Sequence, residues 1–233
     1  SLIYVDSSTH PGSVYLFDLK TKSVEKIDDN APWLAKVKFG TSKAIKVKAR
    51  DGLQIESYLT MPQSPIKAPP LIVMPHGGPI GIRDDRHFDH SVQFLVSLGY
   101  AVLQVNFRGS EGFGKSFREA GKGSLGTAIE DDVDAVLTEV LKTEQVDKSN
   151  LCILGMSYGG YSAMVSSLRW PGRFKCAISF SGPTDRILSF SASDSVRSEP
   201  TRKWMEQYFG NPKTELAKMK SEQPLYSYKN LTT

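Results

Sequence analysis

Four short apolar runs, separated by helical segments, constrain the fold of this chain more than any other feature. They span residues 71–74, 100–107, 151–154 and 176–180. Continuous apolar runs are typical of parallel strands that helices cover on both faces. Strands that alternate with helices predict a mostly parallel α/β sheet. Before these runs, residues 44–49 and 53–61 flank the turn signal Arg50-Asp51-Gly52 and predict an opening hairpin.

Two segments between the later runs carry apolar residues at the 3.6-residue period of a helix. The first stripe consists of Ile129, Val133, Val136, Leu137, Val140 and Leu141, and the second of Tyr161, Met164, Val165 and Leu168. Four acidic residues lie near the start of the first stripe, where the helix dipole favours negative charge: Glu130, Asp131, Asp132 and Asp134. Residues 201–209 and 212–220 predict short helices, and no strand is predicted after them.

The first 30 residues have a different pattern. Residues 2–5 and 14–17 lie on either side of a polar segment that contains Pro11 and Gly12, which predicts a β-hairpin. Because a two-stranded ribbon is marginally stable alone, we expect it to belong to a β-rich domain upstream. The linker near Pro32 marks a boundary. The predicted units are therefore the hairpin, residues 1–32, and the α/β domain, residues 33–233.

The composition is that of a folded globular protein, and no block of like charge indicates binding to a nucleic acid or a membrane. Of 233 residues, 39% are hydrophobic and 23% are charged, and the net charge of +4 is spread along the chain. No run approaches the ~18 apolar residues of a membrane span, and the first residues lack the organisation of a signal peptide. Cys152 and Cys176 lie in apolar runs and are predicted to be buried free thiols. These observations favour a reducing, cytoplasmic compartment.

The segment Gly155-Met156-Ser157-Tyr158-Gly159 carries the strongest chemical signal. It matches the G-x-S-x-G nucleophile elbow, in which a serine occupies a sharp turn between a strand and a helix. A predicted strand precedes it and a predicted helix follows it. Side chains at the glycine positions would collide with nearby backbone, and the turn directs the N–H of Tyr158 toward a developing oxyanion. The sequence predicts Ser157 as a catalytic nucleophile.

His76-Gly77-Gly78-Pro79 follows the first apolar run. In folds with this elbow, the loop after the corresponding strand supplies a second oxyanion donor. The order of the triad along such chains is serine, then acid, then histidine. Because His76 precedes Ser157, we interpret His76 as a structural residue and not as the general base.

Residues 109–116, with the sequence GSEGFGKS, match the phosphate-loop pattern G-x-x-x-x-G-K-[ST]. A phosphate loop opens a substantial helix, whereas this segment soon reaches Gly121 and Gly123. No later apolar strand ends in an acidic residue that could hold magnesium. We therefore predict that the segment is a connecting loop and that Lys115 binds no nucleotide.

Residues 84–90 contain five side chains of the types that bind metals: Asp84, Asp85, His87, Asp89 and His90. They lie at or near the start of a predicted helix that ends near Leu98, where the helix dipole favours acidic residues. Arg86 offsets part of their charge. We predict no metal site here and no cofactor for the chain.

Together these motifs resemble the C-terminal hydrolase domain of the prolyl oligopeptidase family. The similar segments, in matching order and spacing, are Asp51-Gly52, His76-Gly77-Gly78-Pro79, Asn106-Phe107-Arg108-Gly109-Ser110, Gly112-Phe113-Gly114 and Gly155-Met156-Ser157-Tyr158-Gly159-Gly160. The resemblance covers about residues 40–230 and looks closest to the acylaminoacyl-peptidase branch. It implies an α/β-hydrolase fold, peptide substrates, Ser157 as nucleophile, and the N–H groups of Tyr158 and Gly78 as the oxyanion hole. The N-terminal hairpin resembles the end of that family's β-propeller.

The chain departs from the family after the elbow. In the family, the triad acid and histidine follow two further strands, but all four histidines here precede Ser157: His10, His76, His87 and His90. Asp185 follows the last apolar run and has no histidine to orient. We therefore expect a fold that is incomplete at its C-terminus, with the acid and histidine in a missing C-terminal segment. These 233 residues alone are expected to be inactive.

Two alternatives stay open from the sequence. One is a carboxylesterase on the same fold, because the fold alone does not choose the scissile bond. The other is a non-catalytic pseudo-hydrolase or interaction module that kept the elbow and lost the triad. The N-terminal hairpin favours the peptidase. The sequence leaves open whether the protein is a homo-oligomer and which side chains it selects.

Overall fold

The computed structural model describes residues 1–63 and 66–231 of the 233-residue chain. The last two residues of the predicted second unit therefore lie outside the described part. The strands are β1 (Leu2–Ser7), β2 (His10–Phe17), β3 (Val24–Asp29), β4 (Thr41–Lys48), β5 (Gln54–Met61), β6 (Pro70–Val73), β7 (Ala101–Asn106), β8 (Asp147–Met156) and β9 (Cys176–Phe180). The helices are α1 (His90–Ser97), α2 (Lys115–Glu119), α3 (Ala128–Thr143), α4 (Tyr158–Arg169), α5 (Glu199–Phe209), α6 (Leu216–Ser221) and α7 (Pro224–Ser227). Short 3₁₀ helices lie at Pro32–Leu34, Leu188–Phe190, Asp194–Arg197 and Tyr228–Asn230.

The N-terminal segment forms an antiparallel sheet in the order β1-β2-β3. The predicted hairpin is confirmed, but β3 is an additional strand that the apolar pattern missed, because its sequence VEKIDD is mainly charged. Hydrogen bonds join this N-terminal segment to the larger domain. His87 Nδ1 lies 2.7 Å from Asp6 Oδ1, and Gln93 Nε2 donates to the Ser8 carbonyl at 2.6 Å.

The larger sheet has the order β4-β5-β7-β6-β8-β9. β4 and β5 pair antiparallel as the predicted opening hairpin, and β5 also pairs antiparallel with β7. The pairs β6/β7, β6/β8 and β8/β9 are all parallel. The prediction of a mostly parallel sheet is confirmed. In a parallel sheet, the carboxyl ends of neighbouring strands lie side by side, and the loops that follow these ends form the binding site.

Helices pack on both faces of the sheet. On one face, buried residues of α3 and α4 pack against alternate residues of the central strands, including Leu71, Leu103 and Ile153. On the other face, Val92 and Val96 of α1 pack against Val102 of β7. Both predicted helical stripes lie within α3 and α4. Among the described residues, none of the helices combines the length and apolar character that crossing a bilayer requires.

Strand β9 differs from its prediction. Helices were expected to cover both of its faces, but all five of its residues are exposed. Its place at the end of the sheet agrees with the expected incomplete fold. The prediction of two buried free thiols is also wrong. Parallel pairing sets Cys152 of β8 beside Cys176 of β9, with their Cα atoms 4.8 Å apart, and the two form a disulfide. The argument for a reducing compartment therefore loses its basis.

Candidate active site

Ser157 lies where β8 ends and α4 begins, so the predicted strand-turn-helix context is confirmed. Its φ of 55° and ψ of −121° lie in a region that residues other than glycine rarely adopt. The Ser157 N–H donates to the Phe180 carbonyl of β9 at 2.9 Å, which ties this strained residue to the neighbouring strand. Ser157 is exposed and accessible to a substrate.

Close backbone contacts explain the glycines that flank Ser157. A Cβ on Gly155 would overlap the backbone of Gly159, and a Cβ on Gly159 would overlap the carbonyl oxygen of Pro75. Main-chain atoms cannot rotate out of the way as the end of a flexible side chain does. The predicted collision of any side chain at these two positions is confirmed.

The loop after β6 lies against the elbow. A Cβ on Gly77 would lie 3.7 Å from the Ser157 Cβ and 3.4 Å from the Met156 carbonyl oxygen. Gly78 has a φ of 115°, which favours glycine, and the Gly78–Pro79 peptide bond is cis. The segment that was predicted to supply the second oxyanion donor therefore runs directly beside Ser157.

His76 is buried, and each of its ring nitrogens has a partner. Nδ1 lies 2.7 Å from the Gly77 carbonyl oxygen, and Nε2 lies 2.9 Å from Ser110 Oγ. The ring stacks on Phe107, with centroids 4.2 Å apart. Burial lowers the pKa of His76 to about 4, so the ring is neutral at pH 7. This arrangement supports the structural interpretation of His76, because neither nitrogen is available to accept a proton from Ser157.

A buried carboxyl holds the residue that follows Ser157. The Tyr158 hydroxyl donates to Glu130 Oε1 at 2.7 Å, from α4 to the first turn of α3. Burial raises the pKa of Glu130 to about 7, against smaller opposite effects of the Tyr158 and Ser162 hydroxyls. The helical pattern associated Glu130 only with the helix dipole and missed this contact. A signal was present, since Glu130 lies two helical turns before Leu137 on the core side of α3.

Within residues 1–63 and 66–231, no side chain hydrogen-bonds the Ser157 hydroxyl. The other three histidines have different neighbours: His10 with Ser13, His87 with Asp6, and His90 with the ring of Phe88. Both carboxylate oxygens of Asp185 are engaged as well, by the Ile187 N–H at 2.8 Å and the Tyr226 hydroxyl at 2.7 Å. Among the described residues, therefore, no base contacts the Ser157 hydroxyl.

An ion pair fastens the loop after β7. Arg108 makes two parallel hydrogen bonds to Asp132 of α3, both 2.8 Å, and a third bond of 2.9 Å to Asp51. Burial raises the pKa of Asp132, and Asp132 in turn raises the pKa of Arg108 above its ordinary value. Phe107, which stacks on His76, immediately precedes this clamp. The sequence pattern did not pair Arg108 with Asp132, because they are far apart in the chain.

The first residues of the segment that matches a phosphate loop use their backbone N–H groups within the fold. The Gly109 N–H donates to the Phe117 carbonyl, and the Glu111 N–H donates to the Ile82 carbonyl, both at 3.0 Å. The helix that follows, α2, has only five residues. A phosphate cradle needs free N–H groups at the start of a helix. The geometry favours a connecting loop, and the absence of nucleotide binding stays a prediction.

The acidic residues of segment 84–90 have separate roles. Asp89 caps α1 by accepting from the Val92 N–H at 3.0 Å. The backbone of Asp84 exchanges two hydrogen bonds with the Asn106 side chain, of 2.8 and 3.1 Å. In the part of the chain that the structure describes, no three His, Cys, Asp or Glu side chains are grouped to hold a metal ion. That the protein works without a metal stays a prediction.

Comparison with known proteins decides the family. The model of the prolyl oligopeptidase family, peptidase family S9, matches residues 86–233, which is more than half of the chain. The chain belongs to the prolyl oligopeptidase family. Its relatives include dipeptidyl peptidase family member 6 of Caenorhabditis elegans, 34% identical over 209 residues, and dipeptidyl aminopeptidase BIII of Pseudoxanthomonas mexicana, 31% identical over 192 residues. The human acylamino-acid-releasing enzyme is 30% identical over 153 residues.

Solved structures of the family agree with the fold. An acylaminoacyl peptidase in complex with Z-Gly-Gly-Phe-chloromethyl ketone matches all of this chain, with a TM-score of 0.84 and 26% identity. The acylaminoacyl peptidase of Pyrococcus horikoshii also matches all of it, with a TM-score of 0.84 and 25% identity. The α/β-hydrolase fold of this prolyl oligopeptidase family member is therefore confirmed.

The matches cover most of this chain but a small part of the other proteins. The alignments with the two dipeptidyl peptidase relatives include 80% and 79% of the chain and 28% of each relative. With the human enzyme the shares are 62% and 20%. The chain covers 36% and 37% of the two solved structures. It therefore spans about a third or less of the proteins that it resembles.

Proposed function

We propose that Ser157 is the nucleophile of a serine peptidase that cleaves acylaminoacyl or short oligopeptide substrates. In this proposal, the Ser157 oxygen attacks the substrate carbonyl and the leaving amine departs, which leaves an acyl-enzyme that water hydrolyses. The backbone N–H groups of Tyr158 and Gly78 hold the negatively charged oxygen of the tetrahedral intermediate. An acid and a histidine from outside these 233 residues activate the serine.

The observation that carries the proposal is the geometry of the elbow. Ser157 is exposed in a strained turn, with the start of α4 on one side and the Gly77 backbone on the other. The first N–H groups of a helix have no partner within the helix, so that of Tyr158 is free to bind an oxyanion. The proposed nucleophile and oxyanion donors thus lie on two segments, the elbow and the loop after β6, which meet at the carboxyl ends of the strands.

None of the described histidines is placed to act as a base for Ser157. His76 is buried with both nitrogens engaged, and the other histidines contact groups elsewhere. A serine hydroxyl is a weak nucleophile near pH 7 until a base removes its proton. We therefore propose that a C-terminal segment of the complete protein supplies the histidine and its acid, and that residues 1–233 alone are inactive. We also propose that residues 1–32 belong to a β-propeller.

The substrate class follows from the family and its relatives. Names of relatives describe release of acylamino acids and of dipeptides, and the titles of structural neighbours describe acylaminoacyl peptidases. Both activities take short peptides. The choice between them is testable with two chromogenic amides, acetyl-alanine p-nitroanilide for acylaminoacyl release and Ala-Ala-p-nitroanilide for dipeptide release.

The test is Ser157→Ala in the enzyme expressed from its complete reading frame. We expect hydrolysis of the preferred anilide to fall by about a millionfold, because a triad nucleophile has no substitute. Ser116→Ala is the matched control, since Ser116 is an exposed serine of the phosphate-loop match, and it should leave turnover unchanged. Turnover by Ser157→Ala within tenfold of wild type would disprove the proposal. Hydrolysis of p-nitrophenyl esters but of neither anilide would instead identify an esterase.

A further inference from the structure

Glu130 is a fully buried carboxyl that the proposed mechanism does not use. Its relative exposure is 0%, and it lies in the first turn of α3. Its Oε1 atom accepts the hydroxyl hydrogen of Tyr158 at 2.7 Å. Tyr158 is the first residue of α4 and directly follows Ser157. A contact within the core thus reaches the residue whose N–H is the proposed oxyanion donor.

The Tyr158 side chain is held along its length. Its ring lies 5.7 Å from the ring of Phe107 and 5.4 Å from that of Tyr161, measured between centroids, and it is 4% exposed. The Glu130 carboxyl fixes the far end of the side chain, because a hydroxyl hydrogen bond restricts where the ring can move within that packing. The Cα atom of Tyr158 is consequently constrained through its own side chain.

That constraint bears on the Ser157–Tyr158 peptide. Its orientation depends on ψ of Ser157 and φ of Tyr158, and Ser157 has the unusual φ and ψ of 55° and −121°. A strained backbone conformation persists only when surrounding contacts hold it. On the Ser157 side, the hydrogen bond to the Phe180 carbonyl does so. On the Tyr158 side, the buried hydroxyl contact with Glu130 has this role.

A carboxyl is an expensive group for this position if packing is all that is needed. With an apolar side chain of similar size at position 130 and a phenylalanine at position 158, the core could pack without the free-energy cost of removing a carboxyl from water. What the carboxyl adds is a directional acceptor for one specific hydroxyl. Other charged groups near the pair are Arg169, which interacts with Glu130, and Arg186, which interacts with Tyr158.

We propose that Glu130 is a positioning residue of the hydrolase site, which acts by holding the Tyr158 hydroxyl and thereby the direction of the Tyr158 N–H. The inference rests on the proposed function, because it assigns that N–H to the oxyanion hole. Glu130 touches neither substrate nor nucleophile. Its contribution lies in the transition state, where an oxyanion donor acts, and not in ground-state substrate binding.

The experiment compares Glu130→Leu, Glu130→Gln and Tyr158→Phe in the enzyme expressed from its complete reading frame. We expect Glu130→Leu and Tyr158→Phe each to lower kcat by roughly 10- to 100-fold with KM within threefold of wild type, a fraction of the loss from removing a donor outright. Glu130→Gln keeps a carbonyl acceptor for the hydroxyl and should stay within threefold in kcat. The Glu130→Leu/Tyr158→Phe double variant should be no slower than either single variant, since both remove one contact.

A second readout separates positioning from general loss of stability. Peptidyl aldehydes form a hemiacetal with the serine whose oxygen lies in the oxyanion hole, so their inhibition constants should rise in parallel with the loss of kcat. Tyr161→Phe is the matched control, because it also removes a buried tyrosine hydroxyl from α4, one that donates to the Glu222 carbonyl at 2.7 Å. It should destabilise the protein without changing kcat or aldehyde affinity.

The outcomes distinguish this inference from the proposed function. Wild-type kcat and aldehyde affinity in both Glu130→Leu and Tyr158→Phe, in an enzyme whose turnover requires Ser157, would overturn the inference alone. A loss of kcat in Tyr161→Phe equal to that in Tyr158→Phe would also overturn it, since that would be an effect of stability. An enzyme that shows no Ser157-dependent turnover would overturn both proposals.

Discussion

The two edges of the six-stranded sheet are built differently. β4, at one edge, carries Lys43, Lys46 and Lys48, and two of these pair with acidic residues, Lys43 with Glu144 and Lys46 with Glu56. β9, at the other edge, has the sequence CAISF and no charge. Its Ile178 and Phe180 are 39% and 56% exposed. Lysines on an edge strand oppose pairing with another strand, and β9 has no such protection.

The surroundings of β9 are apolar as well. An apolar groove of about 370 Å³ lies at the start of β9, and its lining includes Leu168, Trp170, Phe174, Leu225 and Tyr228. Ser157 is at the opposite, carboxyl end of the parallel strands, so this groove is not the active site. β4 thus has the composition of a solvent-facing edge strand, whereas β9 has the composition of a strand inside a sheet.

Of the effects that follow from this comparison, the largest concerns the β9 side, where the proposed acid and histidine would be added. Residues 1–233 alone should react with a fluorophosphonate probe at Ser157 at least about 10³-fold more slowly than the complete enzyme, because none of the described residues places a base against the hydroxyl. Labelling rates followed by intact-mass spectrometry measure this, with Ser157→Ala as the blank. Rapid stoichiometric labelling of residues 1–233 would show that a base is present among them.

The buried carboxyl of Glu130 in α3 provides a reference that depends on neither edge of the sheet. Glu130 has a pKa of about 7 in the folded protein, against 4.5 ordinarily. Between these values the unfolded chain releases this proton and the folded chain retains it, so the free energy of unfolding falls as pH rises. Relative to Glu130→Gln, wild type should lose up to about 3 kcal/mol between pH 4.5 and 7 and change little above that.

Urea unfolding of both proteins at several pH values measures this difference. Because residues of this chain enclose Glu130 completely, the pH dependence should be the same for residues 1–233 and for the complete enzyme. A constant difference between wild type and Glu130→Gln across the range would refute the assigned protonation state.

The smallest expected effect tests the edges directly. Ile178→Lys gives β9 a charge of the kind that β4 carries. It should weaken self-association, so that residues 1–233 associate only at about tenfold higher protein concentration. The reciprocal change, Lys48→Ile on β4, should increase association. Analytical ultracentrifugation of the three proteins makes the comparison. Unchanged association of Ile178→Lys would mean that β9 is not the surface through which the chains meet.

Features that depend on short-range sequence were predicted correctly. The elbow around Ser157, the opening hairpin and the helices α3 and α4 follow from glycine positions, turn signals and apolar spacing within a few residues. Two features of the fold were not predicted. β3 was missed because its charged residues hide the alternation, and the Cys152–Cys176 disulfide was missed because it requires the register of β8 and β9.

The candidate site divides in the same way. The sequence by itself determined that a serine would stand between a strand and a helix with glycines on both sides, because close backbone contacts admit no other residue there. Only the tertiary structure decided that Glu130 turns inward to Tyr158 and that His76 is enclosed by Gly77, Ser110 and Phe107. Helical periodicity gives each residue a direction around its own axis, but the partner in that direction is set by how distant segments pack.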